Sequence, residues 1–390
     1  MASRTCDKQD RPLRLLILTD SPIAVSGGGE RFLRNLLDGL PPERYQATLV
    51  QLCEEPATAA VLHRHSIESV TNASFLPFTA VYKPDGLRAF LKLKRLVLRE
   101  GFDIIQSQHE NSDVFNALLP RGPLRAVRIS NRRDTGFLKS ARLRRLSRFL
   151  NRRYDSIVAP STAILDAVER SEGSPRARTR CIPNGVNTER FRPIETGARL
   201  ATRADIGCTK DELLVGCVAD LFPVKRHVDL IDAFAQVHAA LPNTRLILIG
   251  EGRLRETIEA QIRTLGLTDA IRLLGPRRDV DKLLPTLDLF VLASDTEGLS
   301  NAILEAQACG LPVVATRVGG NPDVVHADCG ELVEARQPAA LAASMLRQLR
   351  DPVRRARMGA AGRARVEREH SIAAMVQAYE TLYRELADAR

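Results

Sequence analysis

Short apolar runs of strand type alternate with helical apolar spacing along nearly the whole chain, which restricts the fold to parallel sheets with helices on both faces. The series opens with a strand over 13–19 (LRLLILT), a glycine loop and a helix over 30–40, and strands follow at 47–52, 104–106, 126–130 and 156–159. A second series starts with a strand over 213–219 (LLVGCVA) and a helix over 227–240. It continues with strands over 245–249, 271–274, 287–293 and 311–316 and a helix over 300–309. Between the two series, IPNGVNTERFRP (182–193) breaks any regular pattern with its prolines and Asn184-Gly185. The expected fold class is α/β, with two doubly wound, Rossmann-like domains over 1–190 and 191–390. At 390 residues, each is large enough to bury its own core. A last helical pattern over 372–386 could pack back on either domain.

The composition, 44% hydrophobic and 27% charged, is that of a globular protein. No apolar run approaches the roughly 20 residues that span a bilayer, and the opening MASRTCDKQDRP lacks the apolar centre of a signal peptide, so a cytoplasmic protein is expected. Seven cysteines with no CxxC pair suggest neither a disulfide framework nor a zinc site. His63 and His65 have no third ligand in view, so no metal is expected.

A net charge of +10 and a pI near 9.5 favour an anionic partner. Twelve basic residues stand against one acid, Asp134, over 121–153. That segment reads either as a solvated helix face or as a surface for anionic lipid headgroups or a phosphate-bearing acceptor, which would put the protein at the inner face of a membrane. Nucleic acid ranks last, because base-stacking platforms need aromatics and this chain has no Trp and only 4% aromatic residues.

Three places carry candidate chemistry. Glu297 and Glu305 lie eight positions apart where a strand, a turn at Gly298 and a helix follow one another, so both can face the crevice at a strand's carboxyl end. Gly298, Ser300-Asn301 and Gly319-Gly320 surround them with backbone amides, a setting for carboxylates that accept hydrogen bonds from sugar or ribose hydroxyls. Their alternatives are two surface carboxylates, or the acid and nucleophile of a hydrolase. Lys225, in ADLFPVKRH after the strand LLVGCVA, can neutralise a phosphate at the same sheet edge, unless it is an ordinary surface lysine. Ser26-Gly27-Gly28-Gly29-Glu30, between the first strand and its helix, fits an anion at a helix N-terminus or a flexible turn. His109, at the end of the strand in DIIQSQHENS, could contact substrate, shuttle a proton or hydrogen-bond locally. Gly250-Glu251-Gly252 lacks the third glycine of a dinucleotide fingerprint.

These segments together resemble the retaining nucleotide-sugar glycosyltransferases of family 4, also called group 1, which have the GT-B fold of two Rossmann-like domains facing a central cleft. The likeness runs through GGGER, IPNGVNTERFRP, VADLFPVKRH, LILIGEGRLR, IRLLGPRRDV, EGLSNAILEA and GLPVVATRVGGNPDVV, and ISNRRDTGF is similar to members that assemble bacterial polysaccharides. The resemblance implies metal-independent transfer of a sugar, with retention, from a UDP- or GDP-sugar to a hydroxyl of a glycan or lipid-linked acceptor, with no cofactor. It implies that Glu297 binds hydroxyls of the donor sugar and Glu305 the ribose. It assigns the sugar and diphosphate to the amides of Gly298, Leu299, Ser300 and Asn301, the phosphate to Lys225, the closing loop to Gly28 and Gly29, and the base to the backbone near Arg277. Asp220 stands where the family usually has an arginine, with Arg226 as the neighbouring cation, and Gln106-Ser107-Gln108 replaces a strand-end H-x-H, with His109 next door. A nucleotide-sugar epimerase of the same fold and a non-catalytic nucleotide-sugar or anionic-surface binding protein are the rival readings.

Overall fold

The protein was studied as a computed structural model, which describes residues 11–23, 27–54, 67–133 and 141–389. The chain divides into two compact units, 1–185 with 375–390 and 186–374.

The first unit is built on seven parallel strands, β1 (Leu13–Thr19), β2 (Tyr45–Gln51), β3 (Val70–Phe75), β4 (Ile104–Ser107), β5 (Val127–Asn131), β6 (Ser156–Ala159) and β7 (Thr179–Cys181), in the order β3-β2-β1-β4-β5-β6-β7. β1 sits between β2 and β4, with Leu15 opposite Ala47 on one side and Ile104 on the other. Strands covered on both faces must be apolar on both, which is why Leu15, Leu16, Ile17 and Leu18 form an unbroken buried run. The last helix, Ile372–Asp388, carries Tyr379 and Tyr383 into this unit. Both rings are fully buried, and their hydroxyls donate to Asn131 Oδ1 at 2.6 Å and Gln106 Oε1 at 2.7 Å. A tyrosine in a core needs such a partner for its hydroxyl.

The second unit repeats the plan with six parallel strands, β8 (Leu213–Val218), β9 (Thr244–Ile249), β10 (Ile271–Leu273), β11 (Leu289–Leu292), β12 (Val313–Thr316) and β13 (Gly330–Val333), ordered β10-β9-β8-β11-β12-β13. Its core is one cluster that includes Leu214, Val215, Phe234, Leu246, Phe290, Ile303 and Val314. In each sheet the chain runs outward from one central strand, then returns to that strand's other side. The reversal falls between β1 and β4 in the first sheet and between β8 and β11 in the second. Loops leaving the carboxyl ends of such a strand pair diverge to opposite faces and leave a crevice, so ligands bind there. Lys225 follows β8 and Glu297 follows β11; the glycine loop follows β1 and His109 follows β4.

Candidate functional site

The β8 side of the second crevice is shaped by two glycines. A Cβ at Gly250 would lie 2.0 Å from Ala219 O, and one at Gly252 would lie 2.7 Å from Leu221 O. Leu221 N donates to Glu251 O at 2.9 Å, so Gly250-Glu251-Gly252 cradles the backbone after β8, an approach that only a residue without a side chain permits. The chain then makes one tight turn over Pro223–Lys225, passes through Arg226 in the left-handed region (φ 52°) and enters the helix His227–Ala240. Asp295 N donates to Val224 O at 2.8 Å, which ties this turn to the loop after β11.

That tie brings Lys225 Nζ to 2.6 Å from Glu297 Oε1. Ser294 Oγ donates to the same carboxylate oxygen at 2.6 Å, and Ser294 O accepts from Thr316 Oγ1 at 2.6 Å. Asn321 Nδ2 donates to Thr316 O at 2.9 Å, so the support reaches the helix after β12. Gly319, at φ +50°, packs its α-carbon on the Glu297 peptide, where a Cβ would fall 1.7 Å from Glu297 O. Glu297 is thus buried with its orientation fixed, while the Lys225 side chain is 25% exposed and reachable from solvent. Beside the lysine lies buried His227, whose imidazole is pushed down to about 4 by burial and by the Lys225 charge. It is neutral at physiological pH.

Beyond Glu297, Gly298, Leu299 and Ser300 lead into the helix Asn301–Ala308, and Ser300 caps it by accepting from Ile303 N at 3.3 Å. Glu305, one turn further on, is 4% exposed. Its charge is felt at Arg190, whose pKa is raised first by a hydrogen bond to Asp281 and further by Glu305. Arg277 is exposed, with its guanidinium on Asp279 at 2.7 and 2.8 Å. Arg226 is engaged as well, donating to Asp229 at 2.7 and 2.9 Å, and Asp220 is exposed. Lys225 is accordingly the cation that the fold aims at the Glu297 carboxylate. Together these groups offer a positive charge, a hydroxyl-accepting carboxylate and a helix N-terminus, the equipment for holding a sugar joined to a phosphate.

At the crevice of the first sheet, His109 caps the helix Glu110–Leu118 and its Nδ1 meets Thr19 Oγ1 at 3.1 Å and Asp20 N at 3.3 Å. Its Nε2 lies 3.8 Å from Glu30 Oε1. The Asp20 carboxylate accepts from Asn111 N at 2.8 Å and Ser112 N at 2.7 Å; burial raises its pKa, and those amides together with His109 oppose the rise. Gly28 opens the helix Gly28–Gly39, and Gln108 Nε2 donates to Gly29 O at 2.7 Å. The Glu30 carboxylate folds back over Gly27, within 2.0 Å of where a Cβ would stand, so an incoming anion would have to displace it. Arg133 stacks on Phe32, 3.6 Å from the ring centroid, and burial pushes its guanidinium down to about 10. Gln106 is committed to Tyr383 and Ser107 to Asp113, so neither faces the crevice as a free ligand.

The sequence reading selected Lys225, Glu297, Gly298, Leu299, Ser300 and Asn301, which lie on adjoining loops and a helix start of one unit, and His109, Gly28 and Gly29, which lie at the starts of two helices of the other. It missed Ser294, Thr316 and Asn321, short-range polar residues whose use depends on which strands adjoin, and it missed Asp20 and Arg133. Ser26, His63 and His65 lie outside the described residues. Among the described residues, no three His, Cys, Asp or Glu side chains gather as metal ligands, and no helix is long and apolar enough to cross a membrane.

Residues 199–365 match the family described as glycosyl transferases group 1, and residues 26–190 match glycosyltransferase family 4. A GDP-mannose-dependent monoacylated alpha-(1-6)-phosphatidylinositol monomannoside mannosyltransferase of Corynebacterium glutamicum is 37% identical over 199 residues, 49% of this chain and 52% of that protein. The chain thus matches about half the length of that relative. A GDP-mannose-dependent alpha-(1-6)-phosphatidylinositol monomannoside mannosyltransferase of Mycolicibacterium smegmatis is 28% identical over 335 residues, 82% of this chain and 78% of that protein. Among solved structures, HepE of Anabaena in complex with UDP superposes with a TM-score of 0.83 at 24% identity, over 95% of this chain and 99% of that one, which establishes a shared fold.

Proposed function

The chain belongs to the GT-B glycosyltransferases, family 4 in its first half and group 1 in its second, and from that premise we propose that it transfers a sugar from a nucleoside-diphosphate sugar to a hydroxyl acceptor. The observation that carries this reading is the ion pair of Lys225 with buried Glu297 at the reversal point of the second sheet. An ammonium held there by a carboxylate is positioned for a second anion, and the diphosphate of a donor supplies one. As the bond from the anomeric carbon to the phosphate oxygen breaks, negative charge grows on the diphosphate. Lys225 and the amides that open the helix Asn301–Ala308 meet it without reorganising. Glu297 accepts from hydroxyls of the sugar, and Glu305 accepts from the ribose. The backbone beside Arg277 contacts the base. Gly28, Gly29 and Arg226 are further donor contacts in this reading, and His109 is the acceptor-side candidate.

The donor is a UDP- or GDP-sugar, a choice supported by the GDP-mannose named for two relatives and the UDP bound to HepE. The acceptor is a glycan or a lipid-linked saccharide in polysaccharide or glycolipid assembly, used at the inner face of a membrane. The new bond forms on the face that the diphosphate leaves, so the anomeric configuration is retained, and cationic side chains and amides take the place of a metal. Melting the protein with UDP, GDP and their sugar conjugates tests the donor assignment, since a ligand specific to the folded state raises its stability by mass action. Lys225→Ala should abolish the rise at the same ligand concentration and reduce turnover by about 100 to 1,000-fold, the usual effect of removing one charge-stabilising contact. Near-normal turnover in that variant would remove Lys225 from the reaction. Binding without turnover across a panel of acceptors would favour a non-catalytic binding protein instead.

A further inference from the structure

Among the described residues over 121–153, six basic ones are exposed: Arg125, Arg144, Arg145, Arg148, Arg152 and Arg153. Others are structural. Arg132 is buried and pairs with Asp113 and Glu172, and Arg128 is 2% exposed within β5. Arg128 donates to Ala117 O at 3.0 Å and to Leu119 O, at the end of the helix Glu110–Leu118, while its Nε has no partner. It lines a groove of about 520 Å³ together with Phe90, Lys94, Leu118, Arg121 and Arg153. Arg121 is held by Asp155 at 2.7 and 3.3 Å. Burial and then the charges of Arg121 and Arg153 push Arg128 down to about 10, so these cations repel one another across the groove. An anion seated among them would relieve that repulsion.

The groove adjoins an exposed helix face that the sequence reading passed over. The helix Pro84–Glu100 buries Gly86, Ala89, Leu93 and Val97 against its own sheet. Its outer face exposes Leu87 (57%), Leu91 (39%) and Leu98 (50%) in one stripe, among the exposed cations Arg88, Lys92, Lys94, Arg95 and Arg99. The loop that follows the helix Glu110–Leu118 continues this surface. Gly122 packs on Val97, Gly101 approaches Leu124, and Leu118 and Leu124 are themselves 48% and 43% exposed. Apolar side chains in a field of lysine and arginine suit the boundary between lipid headgroups and acyl chains. A nucleic acid backbone would leave the leucines in water, and free phosphate would have no use for them. The groove gathers residues that precede β5 and β6, at the amino-terminal edge of the sheet, whereas His109 and Glu30 lie at the carboxyl edge.

We infer that this groove and the outer face of the helix Pro84–Glu100 form a docking surface for an anionic phospholipid bilayer, with a headgroup phosphate among Lys94, Arg121, Arg152 and Arg153 and the leucines in the acyl boundary. The purpose of such a surface rests on the lipid-linked acceptor reading; the binding does not, and it is measured without donor or acceptor. The test is co-sedimentation of the full chain with vesicles of equal parts phosphatidylglycerol and phosphatidylcholine, and with phosphatidylcholine alone. The wild type should bind the anionic vesicles and not the neutral ones. One basic residue near an anionic membrane contributes about fivefold in partition, so Arg152→Glu with Arg153→Glu should weaken binding by about 25-fold or more. Arg152→Lys with Arg153→Lys should retain it, and Leu87→Glu with Leu91→Glu should lose it without touching the groove's cations. Equal binding by the wild type and the Arg152→Glu, Arg153→Glu variant at an unchanged melting temperature would overturn the inference. So would full displacement from vesicles by glycerol phosphate, which would make the groove a site for a free phosphate ester, or tighter binding to a single-stranded oligonucleotide than to anionic vesicles.

Discussion

Gly319→Ala perturbs the geometry of the Glu297 carboxylate while leaving every charged group and backbone amide of the site in place, because it adds only a methyl group. A Cβ at this position would stand 1.7 Å from Glu297 O, 2.7 Å from its carbonyl carbon and 3.1 Å from its nitrogen, and Cβ contacts below 3.0 Å essentially do not occur. The Glu297 peptide must therefore move by about 1.3 Å, and with it the carboxylate that holds Lys225 at 2.6 Å. A displacement of about 1 Å in a positioning group costs on the order of 100-fold in rate. The φ of +50° adds about 1 kcal/mol of left-handed strain for alanine, or roughly 2–4 °C in melting temperature for a domain of this size. Gly266→Ala supplies the control, since Gly266 is also left-handed, at φ +68°, in the same unit and has no atom within 4 Å of its would-be Cβ. Both variants should melt lower than the wild type, and Gly319→Ala alone should lose turnover, by about 100-fold in an assay of released nucleoside diphosphate. Turnover in Gly319→Ala within twofold of Gly266→Ala would refute the claim that the Glu297 peptide is held in place by this contact.

Two further outcomes follow from the same unit. Glu297→Ala should keep affinity for UDP or GDP but lose the additional affinity contributed by the sugar, because the proposed nucleotide contacts are made by other residues; unchanged sugar dependence in calorimetric titrations would count against its role. Burial holds the imidazoles of His227 and His370 at about 4, below the ordinary 6.5, so the unfolded chain takes up their protons before the folded one does. Stability should consequently fall as pH drops from about 6.5 to about 4, by up to roughly 3 kcal/mol for each histidine. A His227→Gln, His370→Gln variant should lose less than the wild type across that window in a thermal melt series, and parallel curves would contradict the assignment.

The order of strands and helices was largely legible in the sequence, and the strands it missed share a cause. Val70–Phe75, Thr179–Cys181 and Gly330–Val333 are all edge strands, bounded by a neighbour on one side only. Edge strands are short and partly solvated, so VTNASF, TRC and GELV carry polar residues and no apolar run. Central strands such as LRLLILT and LLVGCV must be apolar on both faces and declare themselves. The placement of the candidate residues was legible where they follow a strand end, at Lys225, Glu297 and His109. It was not legible where it depends on contacts between strands, as with Thr316 reaching Ser294. Net charge misled in one respect. Arg128 and Arg132 count toward a basic surface in the sequence, yet both are buried, whereas the exposed leucines on the helix Pro84–Glu100 reveal themselves only once its covered side is known.

Proton NMR of the product gives the sharpest test of sugar transfer with retention from a nucleotide donor held by Lys225 and Glu297. The protein is incubated with a UDP- or GDP-sugar and a saccharide acceptor, with and without a metal chelator. The expected product carries a new glycosidic linkage whose anomeric coupling matches that of the donor, formed at the same rate with and without chelator. An inverted anomeric centre, dependence on added metal, or conversion of the donor to its epimer without any acceptor would contradict that reading.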